Sequence, residues 1–174
     1  MARSVSCTRS VDLPVTQVRD VVTSEAYLLT VDQSSDGSGD GAANLVVDSG
    51  ERTVEPDGAV NATVVATQQA GTSGEGKSTP AMSVEQTTVV TPFLGDRFTV
   101  SSVTSLPKGM GSMTMVLEYR GGQDAATAVD ATVTADVKIP LLGRKIAAKL
   151  LEKAEDSVDK AVGKVERLAD GKSG

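Results

Sequence analysis

The chain has 174 residues, of which 39% are hydrophobic and 2% aromatic, and its net charge is −6. This length suits one domain whose core needs neither disulfides nor metals for stability. The negative charge disfavours nonspecific nucleic-acid binding, because phosphate contacts need a cationic protein surface. We therefore expect a single domain over residues 1–170, followed by a disordered tail over residues 171–174.

The chain has no histidine and only one cysteine, Cys7. Ser–His and Cys–His nucleophile pairs, histidine metal ligands and thiolate clusters are thereby excluded. We predict no metal site and no cofactor. The lone cysteine and the lack of an apolar run of signal-peptide or membrane-spanning length favour a cytoplasmic protein without a transmembrane segment.

The first elements are a strand and two short helices. Residues 4–13 alternate between apolar and polar side chains, which predicts a half-buried strand interrupted on its apolar face only by Arg9. Pro14 ends this strand and suits the first turn of a helix. Ser24 then has the position of an N-cap for a second, shorter helix.

The middle of the chain predicts a hairpin between two loops. Residues 45–54 and 59–69 read as strands joined by Pro56-Asp57-Gly58, a strong turn sequence. Residues 34–41 and 70–79 are rich in turn formers and predict loops. Residues 80–94 show neither a helical nor a strand period, so we expect a loop or short helix there, acting as a flexible lid over a cavity mouth.

Three further strands and a helix complete the chain. Strands are predicted over residues 97–106, 112–120 and 127–139, forming an antiparallel meander that Pro140 ends. Beyond Gly143, apolar residues recur at helical spacing, which predicts one amphipathic helix of about 24 residues, long enough to cross a sheet. This helical region is locally basic. A solvated helix face explains the charge, and peripheral contact with an anionic membrane or an acidic partner is the alternative.

Two loop motifs resemble ligand sites but lack the required context. Residues 71–78, GTSGEGKS, match the literal phosphate-loop pattern, yet Pro80 follows where a helix must begin and the sheet reads antiparallel. Asp32, Asp36 and Asp40 lack the twelve-residue spacing and the terminal glutamate of an EF-hand. The sequence therefore predicts neither a nucleotide site nor a calcium site.

The order of elements resembles the helix-grip fold of the START-like superfamily, which includes polyketide cyclases and lipid-transfer proteins. The sequences MARS at residues 1–4, GDR at 95–97 and, most specifically, VKIPLLGRKI at 137–146 are similar to an uncharacterised bacterial START-like family of unknown function. The resemblance implies an α+β fold in which a curved antiparallel sheet of six to seven strands wraps around the C-terminal helix, with two short helices after the first strand.

A curved sheet and a long helix leave a wedge that side chains, water or a ligand must fill. The chain has few bulky side chains for this purpose, which favours noncovalent binding or transport of a hydrophobic small molecule or lipid. The candidate lining residues are Phe93, Phe98, Met113, Met115, Leu117, Tyr119, Leu142, Ile146 and Leu150. The simpler interpretation, that these residues only form the core, stays open.

Two other functions stay open. A cyclase or hydratase could use Tyr119 or a cavity carboxylate as its acid or base, and Glu85 and Glu118 are the acids whose burial would support it. Enzymatic activity is the weaker alternative, because the sequence places no acid clearly inside. A protein-interaction module without a ligand would use the basic helix or residues 80–94. The sequence indicates no oligomeric state.

Overall fold

The structure is a computed structural model that describes residues 2–29, 45–68, 82–106, 109–121, 126–152 and 154–172. Within these ranges it contains seven strands and four helices. The strands are β1 (Ala2–Val11), β2 (Leu45–Val54), β3 (Val60–Gln68), β4 (Met82–Val90), β5 (Arg97–Ser105), β6 (Gly111–Gly121) and β7 (Thr127–Val137). The helices are α1 (Val15–Val22), α2 (Glu25–Leu28), α3 (Gly143–Glu152) and α4 (Ala154–Lys172).

The described strands form one curved antiparallel sheet in the order β1-β7-β6-β5-β4-β3-β2. The first strand pairs with the last along its whole length, in register from Ala2 opposite Asp136 to Val11 opposite Thr127. Burial alternates strictly along β7, as the period-2 pattern predicted. The predicted hairpin is also confirmed, because β2 pairs with β3 around a turn in which Gly58 has a φ of 95°.

The helices cover the concave face of the sheet. The two short helices after β1 are confirmed, and Ser24 Oγ caps α2 by accepting the Tyr27 N–H at 3.3 Å. The main core cluster joins the concave face to α1, α2 and α4. Arg9, the charged residue on the apolar face of β1, pairs with Asp159 on α4 at 2.6 Å. It therefore anchors the helix to the sheet edge.

The C-terminal helix is described in two stretches, α3 and α4, with residue 153 outside the described residues. In α4 the predicted stripe is buried at Ala154, Val158 and Val165. In α3 the face turned to the sheet centres on Gly143 and Ala147, which are buried, whereas Ile146 and Leu150 are only partly buried. Small residues let this helix approach β7 closely.

The expectation of a loop or short helix over residues 80–94 is wrong for residues 82–90; residues 91–94 are outside the strand, and residues 80–81 lie outside the described residues. Residues Met82–Val90 form β4, which pairs with β3 along its whole length and with β5 from Gln86 to Val90. The period was obscured because two inward positions carry the polar residues Gln86 and Thr88, while apolar Val89 points outward and is exposed. A strand paired on both sides has no hinge, so this segment is not a lid.

Several predictions fall at the limits of the described chain. The loops predicted over 34–41 and 70–79, including the phosphate-loop-like residues 71–78 and the acidic residues Asp32, Asp36 and Asp40, lie outside the described residues. Helix α4 reaches Lys172, two residues into the predicted tail, and residues 173–174 lie outside the described part. Among the helices that the structure describes, none is long and apolar enough to cross a membrane.

Candidate ligand-binding site

A pocket of about 300 Å³ lies between the concave face of the sheet and α4. Helix α4 packs against β1, α1 and α2, so the space between it and the middle strands stays open. The lining residues come from α2, β4, β5, β6 and α4 and are Tyr27, Leu28, Gln86, Thr88, Ser102, Thr104, Met113, Met115, Leu117, Ser157, Lys160, Ala161 and Lys164.

One wall of the pocket is apolar. Met113, Met115 and Leu117 follow at every second position of β6, so all three face inward. Leu28 from α2 and Ala161 from α4 extend this surface. Methionine side chains are flexible and polarizable and therefore adapt to ligands of different apolar shape.

The neighbouring part of the same sheet face, on β5 and β4, carries hydrogen-bonding groups. Gln86 and Thr88 on β4 stand directly across from Thr104 and Ser102 on β5, so the four side chains form a two-by-two array. The Thr88 and Ser102 hydroxyls lie 3.1 Å apart and share a hydrogen bond. Thr88 is only 6% exposed, yet a purely structural core would favour an apolar residue there. We call this array the hydroxyl wall.

The third side of the pocket, on α4, is polar and basic. Lys160 is exposed, and Lys164 is partly buried over Tyr27. Its Nζ donates to the Tyr27 carbonyl at 3.0 Å and lies 5.0 Å from the Tyr27 ring centroid. These two lysines are the charged side chains among the described residues that line the pocket, and none of those residues is acidic.

An aromatic cluster adjoins the pocket near Tyr27. Phe98 and Tyr119 stack with ring centroids 5.1 Å apart, and Phe93 meets Phe98 edge-on at 5.5 Å. The Tyr119 side chain is fully buried, and among the described residues no group forms a hydrogen bond of good geometry with its hydroxyl. Burial is the main cause that raises the pKa of Tyr119 well above its usual value, and the nearby Tyr27 hydroxyl raises it further. Tyr119 is therefore a neutral core residue over the whole physiological pH range.

The nine predicted lining residues divide into three groups. Met113, Met115 and Leu117 lie on the apolar wall of the pocket. Three others, Phe93, Phe98 and Tyr119, form the aromatic cluster and are not among the lining residues. The structure thus brings the β6 residues together at the pocket and places the aromatic residues beside it.

The remaining three predicted residues lie far along the sheet, on α3 and the turn before it. Leu142 and Ile146 border a separate surface groove together with Lys145 and Lys149. Leu150 packs against a second, smaller core cluster between α3 and β7. Ile146 and Leu150 pack with Ala147 against this second cluster, and neither is among the described residues that line the pocket. Ligand contact by any of the nine stays a prediction.

Sequence reasoning missed the whole hydroxyl wall and both lysines. The signal for the wall was present in β5, where Phe98 and Val100 share a face with Ser102 and Thr104. That inward face changes from apolar to polar halfway along the strand. A change of this kind on the inner face of a sheet indicates contact with water or with a ligand, because the partly buried hydroxyls there need hydrogen-bond partners.

The acids whose burial would support enzymatic chemistry are at the surface. Glu85 is exposed, and Glu118 is 40% exposed and lies 3.7 Å from Arg120. Asp130 also pairs with Arg120. The buried polar residues of the described chain are Thr88 and Thr127, and no described cluster of three or more Cys, Asp or Glu residues could hold a metal.

Sequence comparison gives a family without an assigned activity. A family model described as "Protein of unknown function (DUF2505)" matches residues 6–167. The chain belongs to this family. No curated protein sequence matches the chain.

Solved structures with similar folds come from the START superfamily and its relatives. A START superfamily protein from Mycobacterium smegmatis has 16% identity and a TM-score of 0.53, covering 95% of this DUF2505 chain and 98% of its own. The protein TTHA0849 from Thermus thermophilus has 17% identity and a TM-score of 0.55, covering 99% of this chain and 100% of its own. The Zhui aromatase/cyclase from Streptomyces sp. R1128 has 16% identity and a TM-score of 0.53, covering 96% of this chain and 95% of its own. These similarities show that the DUF2505 chain has the START-like helix-grip fold.

Proposed function

We propose that this DUF2505 protein binds a small hydrophobic molecule or a lipid segment noncovalently in the pocket between sheet and α4. The observation that carries the proposal is the division of the pocket into an apolar wall and a hydroxyl wall. An apolar core needs no array of four hydrogen-bonding side chains, whereas a ligand with an apolar body and a polar edge would contact both walls. The START-like fold of its structural neighbours is consistent with this class of ligand.

The size of the pocket limits the ligand. A volume of about 300 Å³ is at the lower end of the range for small-molecule sites. It fits a compact molecule or a single acyl segment, whereas a two-chain lipid would have to extend out of the pocket. Burying about 200 Å² of apolar ligand surface would contribute roughly 5 kcal/mol before association costs, so the hydrogen bonds decide specificity.

The alternatives have less support. A cyclase or hydratase would need a desolvated acid or base in the pocket, and the described lining residues offer only lysines, hydroxyls, an amide and the phenol of Tyr27. A protein-interaction module gives no reason for an interior pocket with two different walls. We also place the protein in a reducing compartment such as the cytoplasm, because Cys7 is a lone, partly buried thiol.

The test is a substitution that fills the pocket with a larger side chain and keeps the fold. Thr104 lines the pocket, whereas its neighbour Val103 lies on the opposite, exposed face of the same strand. We expect Thr104→Phe to weaken binding of the fluorescent apolar anion anilinonaphthalene sulfonate at least about tenfold, and Val103→Phe to leave it unchanged. Native mass spectrometry of the wild-type protein should show a copurified small molecule that the Thr104→Phe variant lacks.

Circular dichroism of both variants checks that they fold alike. Equal probe affinity in a folded Thr104→Phe variant would show that the pocket is not the binding site. Absence of any saturable probe binding by the wild-type protein would rule out the proposal.

A further inference from the structure

The turn between β7 and α3 presents two leucines to solvent. Leu141 is fully exposed and Leu142 is 57% exposed. Pro140 precedes them and is also exposed. We call residues 139–142 the tip. Such a cluster of apolar side chains at one projecting turn is unusual on a chain with only 39% hydrophobic residues.

Leu141 is also in an unfavourable backbone conformation. Its φ is 69°, and it is the one non-glycine residue with positive φ among the described residues. The Leu142 N–H donates to the Pro140 carbonyl at 2.8 Å, which closes a three-residue γ-turn around Leu141. Glycine or asparagine would be easier at this position. A leucine here is both strained and exposed, so it does not stabilise the folded state.

The tip is held firmly in place. The Gly143 N–H donates to the Ile139 carbonyl at 2.9 Å, and the Ile146 N–H donates to the Leu142 carbonyl at 3.1 Å. Gly143 is buried, and a β-carbon there would lie 3.1 Å from the Val137 carbonyl oxygen. The leucine side chains are therefore presented by a rigid turn and lose little backbone entropy when they bind.

Positive charge surrounds the tip. Residues 137–151 contain four cations and no acid, although the chain as a whole has a net charge of −6. We call these four cations the basic collar, and they are Lys138, Arg144, Lys145 and Lys149. The three lysines form no ion pair with any described residue. A basic collar around projecting apolar side chains matches the charge and polarity of an anionic bilayer surface.

We propose that the tip docks the protein on anionic membranes, with Leu141 and Leu142 inserted among the acyl chains and the basic collar on the lipid phosphates. The negative charge of the rest of the chain would orient the molecule with this end toward the membrane. The inference stands on a different surface from the pocket and does not depend on the proposed ligand.

A bilayer fits the tip better than a protein surface does. The tip is a convex knob, and acyl chains can rearrange around a projecting side chain, whereas a protein partner would need a matching pocket. A second copy docked through the same surface would bring two basic collars together, and like charges oppose such contact.

The test is cosedimentation with vesicles of phosphatidylcholine, with and without a third of phosphatidylglycerol. We expect the wild-type protein to bind only the anionic vesicles, and more weakly at high salt. Leu141→Asn should weaken binding about five- to tenfold and should not lower stability, because asparagine tolerates positive φ. The double variant Lys138→Gln, Lys145→Gln should lose about fivefold per lysine.

The matched control lies at the other end of the sheet. Leu94 is 77% exposed and bridges to Arg97, so Leu94→Asn with Arg97→Gln removes one exposed leucine and one cation elsewhere. This control should bind like the wild type. Equal binding by Leu141→Asn, or no binding of the wild type to anionic vesicles at low salt, would overturn the proposal. Self-association that Leu141→Asn abolishes, without vesicle binding, would instead assign the tip to a second copy.

Discussion

Removing the Tyr119 hydroxyl should stabilise the protein. This oxygen is fully buried, and no described group forms a hydrogen bond of good geometry with it, although the Tyr27 hydroxyl is close enough to affect its pKa. Folding therefore removes its water without an equivalent replacement. An unpaired buried polar group costs about 1–3 kcal/mol, and losing one oxygen atom leaves only a small void. Tyr119→Phe keeps the ring stacked on Phe98 and should raise the free energy of unfolding by about 1 kcal/mol.

The assay is urea unfolding followed by circular dichroism, with thermal unfolding as a second measure. For a chain of this size, about 1 kcal/mol corresponds to a midpoint shift of roughly 2–4 °C, and the urea slope should not change. Tyr27→Phe is the control, because Tyr27 carries the neighbouring hydroxyl. If both substitutions lower stability by similar amounts, the two hydroxyls are bonded to each other in solution and the reasoning fails.

The same residue predicts a pH dependence. Burial raises the pKa of Tyr119 well above its usual value, whereas in the unfolded chain it titrates near about 10. Above that pH the unfolded chain has released the proton and the folded chain still holds it, so stability falls as the pH rises. The free energy of unfolding of the Tyr119→Phe variant should fall less steeply with rising pH over this range than that of the wild type. Identical slopes for wild type and variant would show that Tyr119 is not desolvated.

Other substitutions test the packing. Gly163→Ala should stabilise by about 0.5–1 kcal/mol, because the site in α4 has open space for a β-carbon, and a thermal shift measures it. Gly111→Ala should abolish cooperative unfolding, since its β-carbon would lie 1.9 Å from a backbone oxygen at a φ of 133°. Arg9→Gln should lower the urea midpoint at low salt and less at high salt, because its acidic partners on α4 are exposed. Leu150→Ala should cost about 2 kcal/mol and Lys149→Ala under about 0.5 kcal/mol; equal losses would contradict the observed orientation of α3.

The sequence allowed much of the fold to be predicted, because most elements have a clean period. Along β7 burial alternates without exception, apolar residues occupy the inward face from Val129 to Val137, and Pro140 marks where the strand must end. The exception is β4, where Gln86 and Thr88 point inward and hide the period. The strand that the sequence pattern did not predict, β4, is therefore one of the two strands that form the hydroxyl wall.

The candidate site was less predictable than the fold. Met113 and Met115 could be predicted because apolar residues occupy every second position of β6 from Met113 to Tyr119, and the face of one strand is a local property. The placement of Phe98 and Tyr119 outside the lining depends on how far along the sheet α4 lies, which no local pattern encodes. Likewise, the approach of Lys164 to Tyr27 joins residues 137 positions apart in sequence.

The pairing of β1 with β7 has a consequence for how the molecule is made. Arg9 reaches Asp159 across 150 residues, and β1 pairs along its whole length only with a strand near the end of the chain. During synthesis β1 stays unpaired, and the apolar side chains of Val5, Cys7 and Val11 stay exposed, until β7 has left the ribosome. Folding dominated by such distant pairings is slow, and an uncovered strand is prone to aggregate. The nascent chain therefore exposes the apolar face of β1 until β7, which ends at Val137 of 174 residues, has emerged.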